Sequence, residues 1–121
     1  MAFVEKLANR TYVSGSAFDQ FAFVTLASDG QVDKTGAGLR ADAVALQAAT
    51  AASQTVTGAY DGRVTVVAAG SISQGGAVAS DANGKAVAAT TGDVILGYAL
   101  EAGATGQVIT IELSRAETVS A

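Results

Sequence analysis

Short β-branched segments separated by turn dipeptides constrain the fold of this chain more than any other feature. Asp29-Gly30, Asp61-Gly62 and Asn83-Gly84 each stand between two such segments. Asp-Gly and Asn-Gly accept the positive φ angles that tight hairpin turns require. The pattern predicts an all-β fold, a small β-barrel or β-sandwich of short strands. The predicted strands are residues 21–26, 31–33, 43–47, 55–59, 63–68, 77–80, 85–89, 94–100 and 107–113.

The side chains available to form a core are small. Alanine and glycine contribute 27 and 14 of the 121 residues, whereas valine, leucine, isoleucine and phenylalanine together contribute 29. A small domain buries a smaller share of its surface, so a thin core favours help from a partner surface. The chain has no cysteine, so disulfides cannot supply that help. We therefore expect a homo-oligomer or a protein that docks on another.

Two parts of the chain resemble each other at a nearly constant sequence offset. Residues 23–32 match residues 77–87, and each has an Ala-Ser-Asp turn between short strands. Residues 44–57 match residues 98–110 if one residue is left out. One β unit used twice explains these matches, and two stacked copies would form a small barrel or sandwich. We predict pseudo-repeat units at about residues 21–60 and 77–113 within a single β domain, residues 21–121.

One segment is compatible with a helix as well as a strand. Residues 41–53 are rich in alanine and have apolar residues at helical spacing. The repeat favours the alternative, a strand at residues 43–47 followed by a tight turn or a single helical turn.

The N-terminal segment, residues 1–20, lies outside the repeat. Residues 10–17 are polar and small, whereas apolar side chains stand on either side of them. One interpretation is a frayed terminus with an edge strand. The other is an extended N-terminal arm that orders on a neighbouring protein. The candidate docking residues of this arm are Phe3, Leu7, Tyr12 and Phe18.

The sequence lacks the side chains of the common catalytic and metal sites. Without histidine and cysteine, Ser-His-Asp and Cys-His nucleophile systems are excluded, as are zinc sites with those ligands. The glycine-rich phosphate loop is also absent. We expect no enzyme activity, no cofactor and no metal. Five carboxylates stand at turn positions, where aspartate typically bonds its own backbone: Asp29, Asp33, Asp61, Asp81 and Asp93.

The charge pattern argues against nucleic acid and membrane partners. The net charge is −4, and the seven basic residues occur singly rather than in the clusters that bind phosphates. Phe18, Phe21 and Phe23 could stack on bases or sugars, but burial or subunit contact is favoured. The longest apolar window, residues 87–100, is interrupted by polar residues and glycine, so we expect no membrane span. Residues 1–10 do not form a secretory signal, so we expect synthesis in the cytoplasm.

An ordered series of motifs in the second half of the chain is similar to a known family. Residues 63–70 read RVTVVAAG, 75–81 GGAVASD, 84–87 GKAV, 92–103 GDVILGYALEAG and 106–113 GQVITIEL. Their order and spacing resemble the tailed-phage capsid cement, or head decoration, proteins. The resemblance extends over residues 21–113 and is closest from residue 63.

The resemblance implies a structural protein that binds the outer surface of a bacteriophage head. Such proteins are usually trimers or other small oligomers, and they reinforce the lattice of the major capsid protein against the pressure of packaged DNA. The chain would then belong to the virion after synthesis in the host cytoplasm. Two alternatives stay open: a carbohydrate- or cell-surface-binding β module of a phage fibre, and a hydrolase that uses two carboxylates.

Overall fold

The computed structural model describes residues 8–28, 30–90 and 92–118, and every regular element in these residues is a β-strand. The all-β prediction is therefore confirmed. The strands are β1 (Ala8–Ser14), β2 (Phe23–Leu26), β3 (Gln31–Lys34), β4 (Ala43–Ala45), β5 (Thr55–Asp61), β6 (Arg63–Val67), β7 (Ala77–Ser80), β8 (Ala86–Ala88), β9 (Val94–Ala99) and β10 (Val108–Thr118).

The ten strands form two five-stranded sheets with the same neighbour relations. The first is a closed barrel of order β1-β3-β2-β4-β5, in which β1 pairs parallel with β3 and antiparallel with β5. The second has the order β6-β10-β9-β7-β8. One isolated parallel bridge, Ala68↔Ala86, links the end of β6 to β8. Closure of the first sheet removes its exposed strand edges, which otherwise invite aggregation.

The two sheets repeat one backbone pattern at a constant sequence offset. The antiparallel bridge Phe18↔Ala49 has Ile72↔Gly103 as its counterpart, and both members of the pair are shifted equally along the chain. We call residues 8–61 the first repeat and residues 62–118 the second repeat. Three pairs of residues with positive φ share the offset: Phe21 and Gly75, Gly30 and Gly84, and Gly38 and Gly92.

The offset shortens by one position in the loops that precede β5 and β10. Gln54 Oε1 accepts a hydrogen bond from the backbone N–H of Thr50 at 2.8 Å. Gln107 Oε1 accepts the equivalent bond from the N–H of Ala104 at 2.7 Å. One residue is therefore missing from the second loop, as the one-residue gap in the sequence match predicts.

The N-terminal part of the chain differs from the predicted arm. From Asn9 to Val13, β1 pairs residue by residue with β5, and the register shifts between Ala8 and Asn9. Phe18 forms a bridge to Ala49, so residues 8–20 belong to the first barrel. The strand was not apparent from composition because its side chains are mostly polar. In contrast, the ambiguous segment, residues 41–53, contains a strand, β4, within the predicted residues 43–47, and no helix.

Each repeat encloses a small apolar core at equivalent positions. The first barrel is filled by residues such as Phe18, Val24, Val32 and Val56. In the second repeat Ile72, Val78, Ala86 and Ile109 occupy the corresponding places. Most of these side chains are small, in keeping with the alanine-rich composition.

One outward-facing row of the first repeat is also buried. Phe23, Val44 and Ala59 are cross-strand neighbours on β2, β4 and β5, and each is 0% exposed. Their strand neighbours Val24 and Ala43 point into the first barrel, so this row points outward. It belongs to the same apolar cluster as the core of the second repeat. We call Phe23, Val44 and Ala59 the junction stripe, because it joins the two repeats.

Candidate docking surface

The carboxylates that the sequence places at turns are engaged in local hydrogen bonds. Asp81 Oδ1 accepts from the backbone N–H groups of Asn83 and Lys85, both at 2.8 Å. Asp93 accepts from the backbone N–H of Thr90 at 3.0 Å. Asp33 lies in β3 rather than in a turn and accepts a serine hydroxyl at 2.7 Å. These bonds hold turns and loops in place.

Two of the predicted turn carboxylates lie outside the described part of the chain, Asp29 and the side chain of Asp61. Among the described residues, no group of three or more carboxylates lies close enough together to hold a metal ion. Within the same residues there is no helix long and apolar enough to cross a membrane.

The predicted docking residues of the arm fall into different environments. Phe3 and Leu7 lie outside the described residues. Tyr12, in β1, packs against the core of the first barrel and covers Gly58, where a Cβ would lie 2.7 Å from the ring. Phe18 is 5% exposed and is held by two 2.9 Å backbone bonds to Ala49. Phe18 is therefore a core residue, because its ring fills the first barrel.

A polar aromatic patch lies on the first repeat, where β1 and β5 pair. Arg10 Cζ is 5.2 Å from the centroid of the exposed Tyr60 ring, a distance typical of a cation–π contact. Burial raises the pKa of the neighbouring Tyr12; Arg10 opposes this shift, while Asp42 and Tyr60 add to it. We call Arg10, Tyr12, Asp42 and Tyr60 the tyrosine patch.

The carboxylate of the tyrosine patch is held in place by the backbone. Asp42 Oδ2 accepts a hydrogen bond from the N–H of Leu26 at 2.7 Å, and its Oδ1 lies 3.8 Å from the guanidinium of Arg40. Tyrosine and arginine are among the side chains enriched at the centres of protein interfaces. The patch can therefore contribute aromatic area, a positive charge and a fixed negative charge to one partner.

Sequence reasoning identified Tyr12 but missed Arg10 and Tyr60. The register of β1 against β5 pairs Arg10 with Gly58, which places Arg10 diagonal to Tyr60 on one face. The signal that could have located them is the repeat itself, because β1 is the counterpart of the predicted strand β6.

A groove of about 350 Å³ lies between the two repeats. Phe21 lines it with a φ of 67°, at a position where the second repeat has Gly75. This backbone conformation costs a residue with a side chain about 1–2 kcal/mol, so the surroundings must hold Phe21 in place. Since Phe18 and Phe23 are buried, the three phenylalanines form no stacking platform. The other residues lining the groove are Asp19, Gln20, Ala22, Val67, Lys85 and Val108.

Comparison with known proteins gives a relation at the level of the fold. No family model matches the chain, and no curated protein matches it. Among solved structures, the fold is similar to the N base of head fiber gp8.5 of bacteriophage phi29, with a TM-score of 0.76. The likeness covers 93% of this chain and 98% of that chain at 19% sequence identity. The two proteins therefore share an all-β fold over nearly their whole lengths.

Proposed function

We propose that this protein is a structural protein of a tailed-bacteriophage head, where it binds the outer surface and cements the lattice of the major capsid protein. The proposal rests on the fold that the chain shares with the base of a phage head fiber over 93% of its length. The order of motifs in residues 63–113, which resembles capsid cement proteins, supports it separately. The protein would act as a non-catalytic part of the virion.

Cementing of this kind requires several weak contacts that form together. A trimer, or another small oligomer, would present the same docking surface to several capsid subunits at once. After one contact has formed, the others form at an effective concentration of about 1 mM, and overall binding can strengthen by ~10²–10⁴-fold. A chain of 11.9 kDa with a small core can therefore bind firmly without a large interface of its own.

We place the capsid contact at the tyrosine patch. Tyr60 is exposed and carries the Arg10 guanidinium over its ring, so both are available to a partner. The patch begins in β1, which directly follows the segment 1–7 that contains Phe3 and Leu7. Those two side chains remain predicted docking residues.

Co-sedimentation with heads that lack the protein tests the proposal. We expect the wild-type protein to bind until it reaches a constant ratio to the major capsid protein. The double variant Arg10→Ala/Tyr60→Ala should bind at least about tenfold more weakly, as loss of two interface-centre side chains predicts. Val108→Ala, which shortens an exposed apolar side chain of the second repeat, is the matched control and should bind like the wild type.

The outcomes separate the function from the assigned surface. Failure of the wild-type protein to sediment with heads at any concentration would contradict the capsid role. Binding of the wild type and the double variant with equal affinity would contradict only the assignment to the tyrosine patch.

A second candidate function is recognition of a carbohydrate as part of a phage fibre. The same patch combines two aromatic rings, a guanidinium and a carboxylate, which are the groups that commonly bind sugars. A glycan array probed with the wild type and with Tyr60→Ala distinguishes the two functions. Glycan binding that depends on Tyr60, in a protein that does not bind heads, would favour the fibre.

A further inference from the structure

The two repeats contact each other through different surfaces, although their backbones are equivalent. The N–H of Phe23 in the first repeat donates to the carbonyl of Gly84 in the second at 2.7 Å. The N–H of Gly38 donates to the carbonyl of Ser80 at 2.9 Å. The Ser80 hydroxyl donates to the carbonyl of Thr35 at 3.3 Å. The first repeat thus contributes the face that carries the junction stripe. The second repeat contributes the hairpin turn between β7 and β8.

Within the described residues, none of these contacts recurs with the roles of the repeats exchanged. The exchanged form of the Phe23–Gly84 contact would join Ala77 to Gly30. A Cβ built on Gly30 meets nothing within 4 Å, and the same is true of Gly92, the counterpart of Gly38. The junction is therefore heterologous: each repeat uses one half of the contact. The other half of each repeat lies on the outside of the chain.

The outer half on the first repeat is apolar. Leu26 and Leu39 are 48% and 59% exposed. Their counterparts in the second repeat are Ser80 and Asp93. Ser80 and Asp93 both lie against Gly38 in the junction. We call Leu26, Gly30 and Leu39 the outer loop face.

The outer half on the second repeat is the counterpart of the junction stripe. Ala77, Tyr98 and Glu112 are cross-strand neighbours on β7, β9 and β10, in the register that Phe23, Val44 and Ala59 have in the first repeat. Tyr98 is 38% exposed, whereas Val44 is fully buried. We call Ala77, Tyr98 and Glu112 the outer stripe.

We propose that a second copy of this chain docks head to tail, with the outer loop face of one copy on the outer stripe of the next. This contact between two chains would repeat the junction that already joins the two repeats within one chain. Both halves are present on every chain, and exposed apolar residues lie on each. Heterologous contacts close into a ring or extend as an open chain, depending on the rotation between neighbours. The inference concerns the purified chain and holds whether or not the protein binds heads.

Sedimentation of the cysteine-free chain and two variants tests this contact. The loop variant, Leu26→Asp/Leu39→Asp, blocks the outer loop face. The stripe variant, Ala77→Asp/Tyr98→Asp, blocks the outer stripe with charge of the same sign. The control is Ala52→Asp. Ala52 is an exposed alanine in a loop, and the corresponding loop of the second repeat, residues 104–106, is exposed and takes no part in the junction. Urea unfolding checks that each variant is folded. If the loop variant is not folded, Leu26→Ser/Leu39→Ser replaces it, and if the stripe variant is not folded, Tyr98→Ser replaces it.

We expect the wild type and the control to sediment as assemblies larger than 11.9 kDa, and each blocked variant as a monomer of that mass. An equimolar mixture of the two blocked variants should form a 1:1 dimer, since each supplies the half that the other lacks. A wild type that is monomeric up to about 1 mM would overturn the proposal. Blocked variants that still assemble would also overturn it. So would a mixture of the two blocked variants that stays monomeric, because that is the result expected of a two-fold contact.

Cross-linking tests the register of the same contact. Within one chain, Ser80 contacts Thr35. In the proposed contact between two chains, Leu26 takes the place of Ser80 and Ala89 takes the place of Thr35. A Leu26→Cys chain mixed with an Ala89→Cys chain should form a disulfide-linked heterodimer under mild oxidation. Replacing Leu26→Cys by Ala52→Cys should reduce its yield at least tenfold, and equal yields would contradict the proposed register.

Discussion

Replacement of Gly84 by alanine tests how tightly the two repeats pack. Gly84 has a φ of 78°, and a Cβ on it would lie 2.7 Å from the carbonyl oxygen of Phe23 and 3.3 Å from the Cβ of Ala22. The backbone conformation costs an alanine about 1 kcal/mol. Displacing the turn weakens the buried bond from the Phe23 N–H, which costs about 1–3 kcal/mol. We therefore expect Gly84→Ala to lower the free energy of unfolding by about 3 kcal/mol.

The first repeat supplies a matched control for this change. Gly30 is the counterpart of Gly84 and has a φ of 85°, but a Cβ there meets nothing within 4 Å. In dilute, monomeric protein, where the outer loop face is uncovered, Gly30→Ala should lower the free energy of unfolding by only about 1 kcal/mol, from the backbone term. Urea denaturation of both variants measures the difference. Equal destabilisation of the two would refute the conclusion that the Gly84 turn packs against the first repeat.

Three further changes test other parts of the structure. In dilute, monomeric protein, Val44→Ala in the junction stripe should lower the free energy of unfolding by about 2 kcal/mol, whereas Tyr98→Ala at the equivalent exposed position should lower it by less than about 1 kcal/mol. Similar losses in urea denaturation would contradict the buried junction. Asp81→Ala removes the acceptor of two backbone N–H groups and should cost about 1–2 kcal/mol in the same assay, with an unchanged unfolding midpoint as the contrary result. Burial raises the folded-state pKa of Tyr12 above its ordinary value of 10.0, so the folded state holds its proton more tightly and stability should fall as the pH rises above 10.0. Tyr12→Phe should make this decline shallower, and equal declines in the two proteins would exclude Tyr12 as its source.

Most of the second half of the fold could be predicted from local sequence, because its strands are β-branched and its turns contain glycine. Gly84 and Gly30 have the positive φ that the turn dipeptides require. The repeat was visible in the Ala-Ser-Asp turns and in matching Ala-Leu pairs. It also resolved the alanine-rich segment, whose composition alone favours a helix.

The strand β1 could not be recognised from its composition, because its side chains are mostly polar. Its antiparallel partner β5 gives no local signal either, since it lies far along the chain, beyond β2, β3 and β4. Its counterpart β6 shows what was missed: Thr11 and Val13 are identical to Thr65 and Val67 at the offset of the repeat. Extending the repeat toward the N-terminus would have placed Arg10 and Tyr12 in a strand, and only Phe3 and Leu7 would have remained as arm residues.

The junction between the repeats was beyond local pattern for a different reason. A half-exposed strand alternates buried and exposed residues, but Phe23 and Val24 are both buried, as are all three residues of β4. Such continuous burial requires cover on both faces of the sheet. Sequence can suggest that a second layer exists, but which surface of the second repeat supplies it depends on the three-dimensional arrangement of the two copies.

Thermal disruption of phage heads, with and without the protein bound at saturation, tests the cementing role most directly. DNA release can be followed by the fluorescence of an intercalating dye as the heads are heated. If the protein reinforces the capsid lattice, occupied heads should release their DNA at a higher temperature than bare heads, and Arg10→Ala/Tyr60→Ala should leave them at the lower one. Release at the same temperature from bare and fully occupied heads would contradict a cementing function.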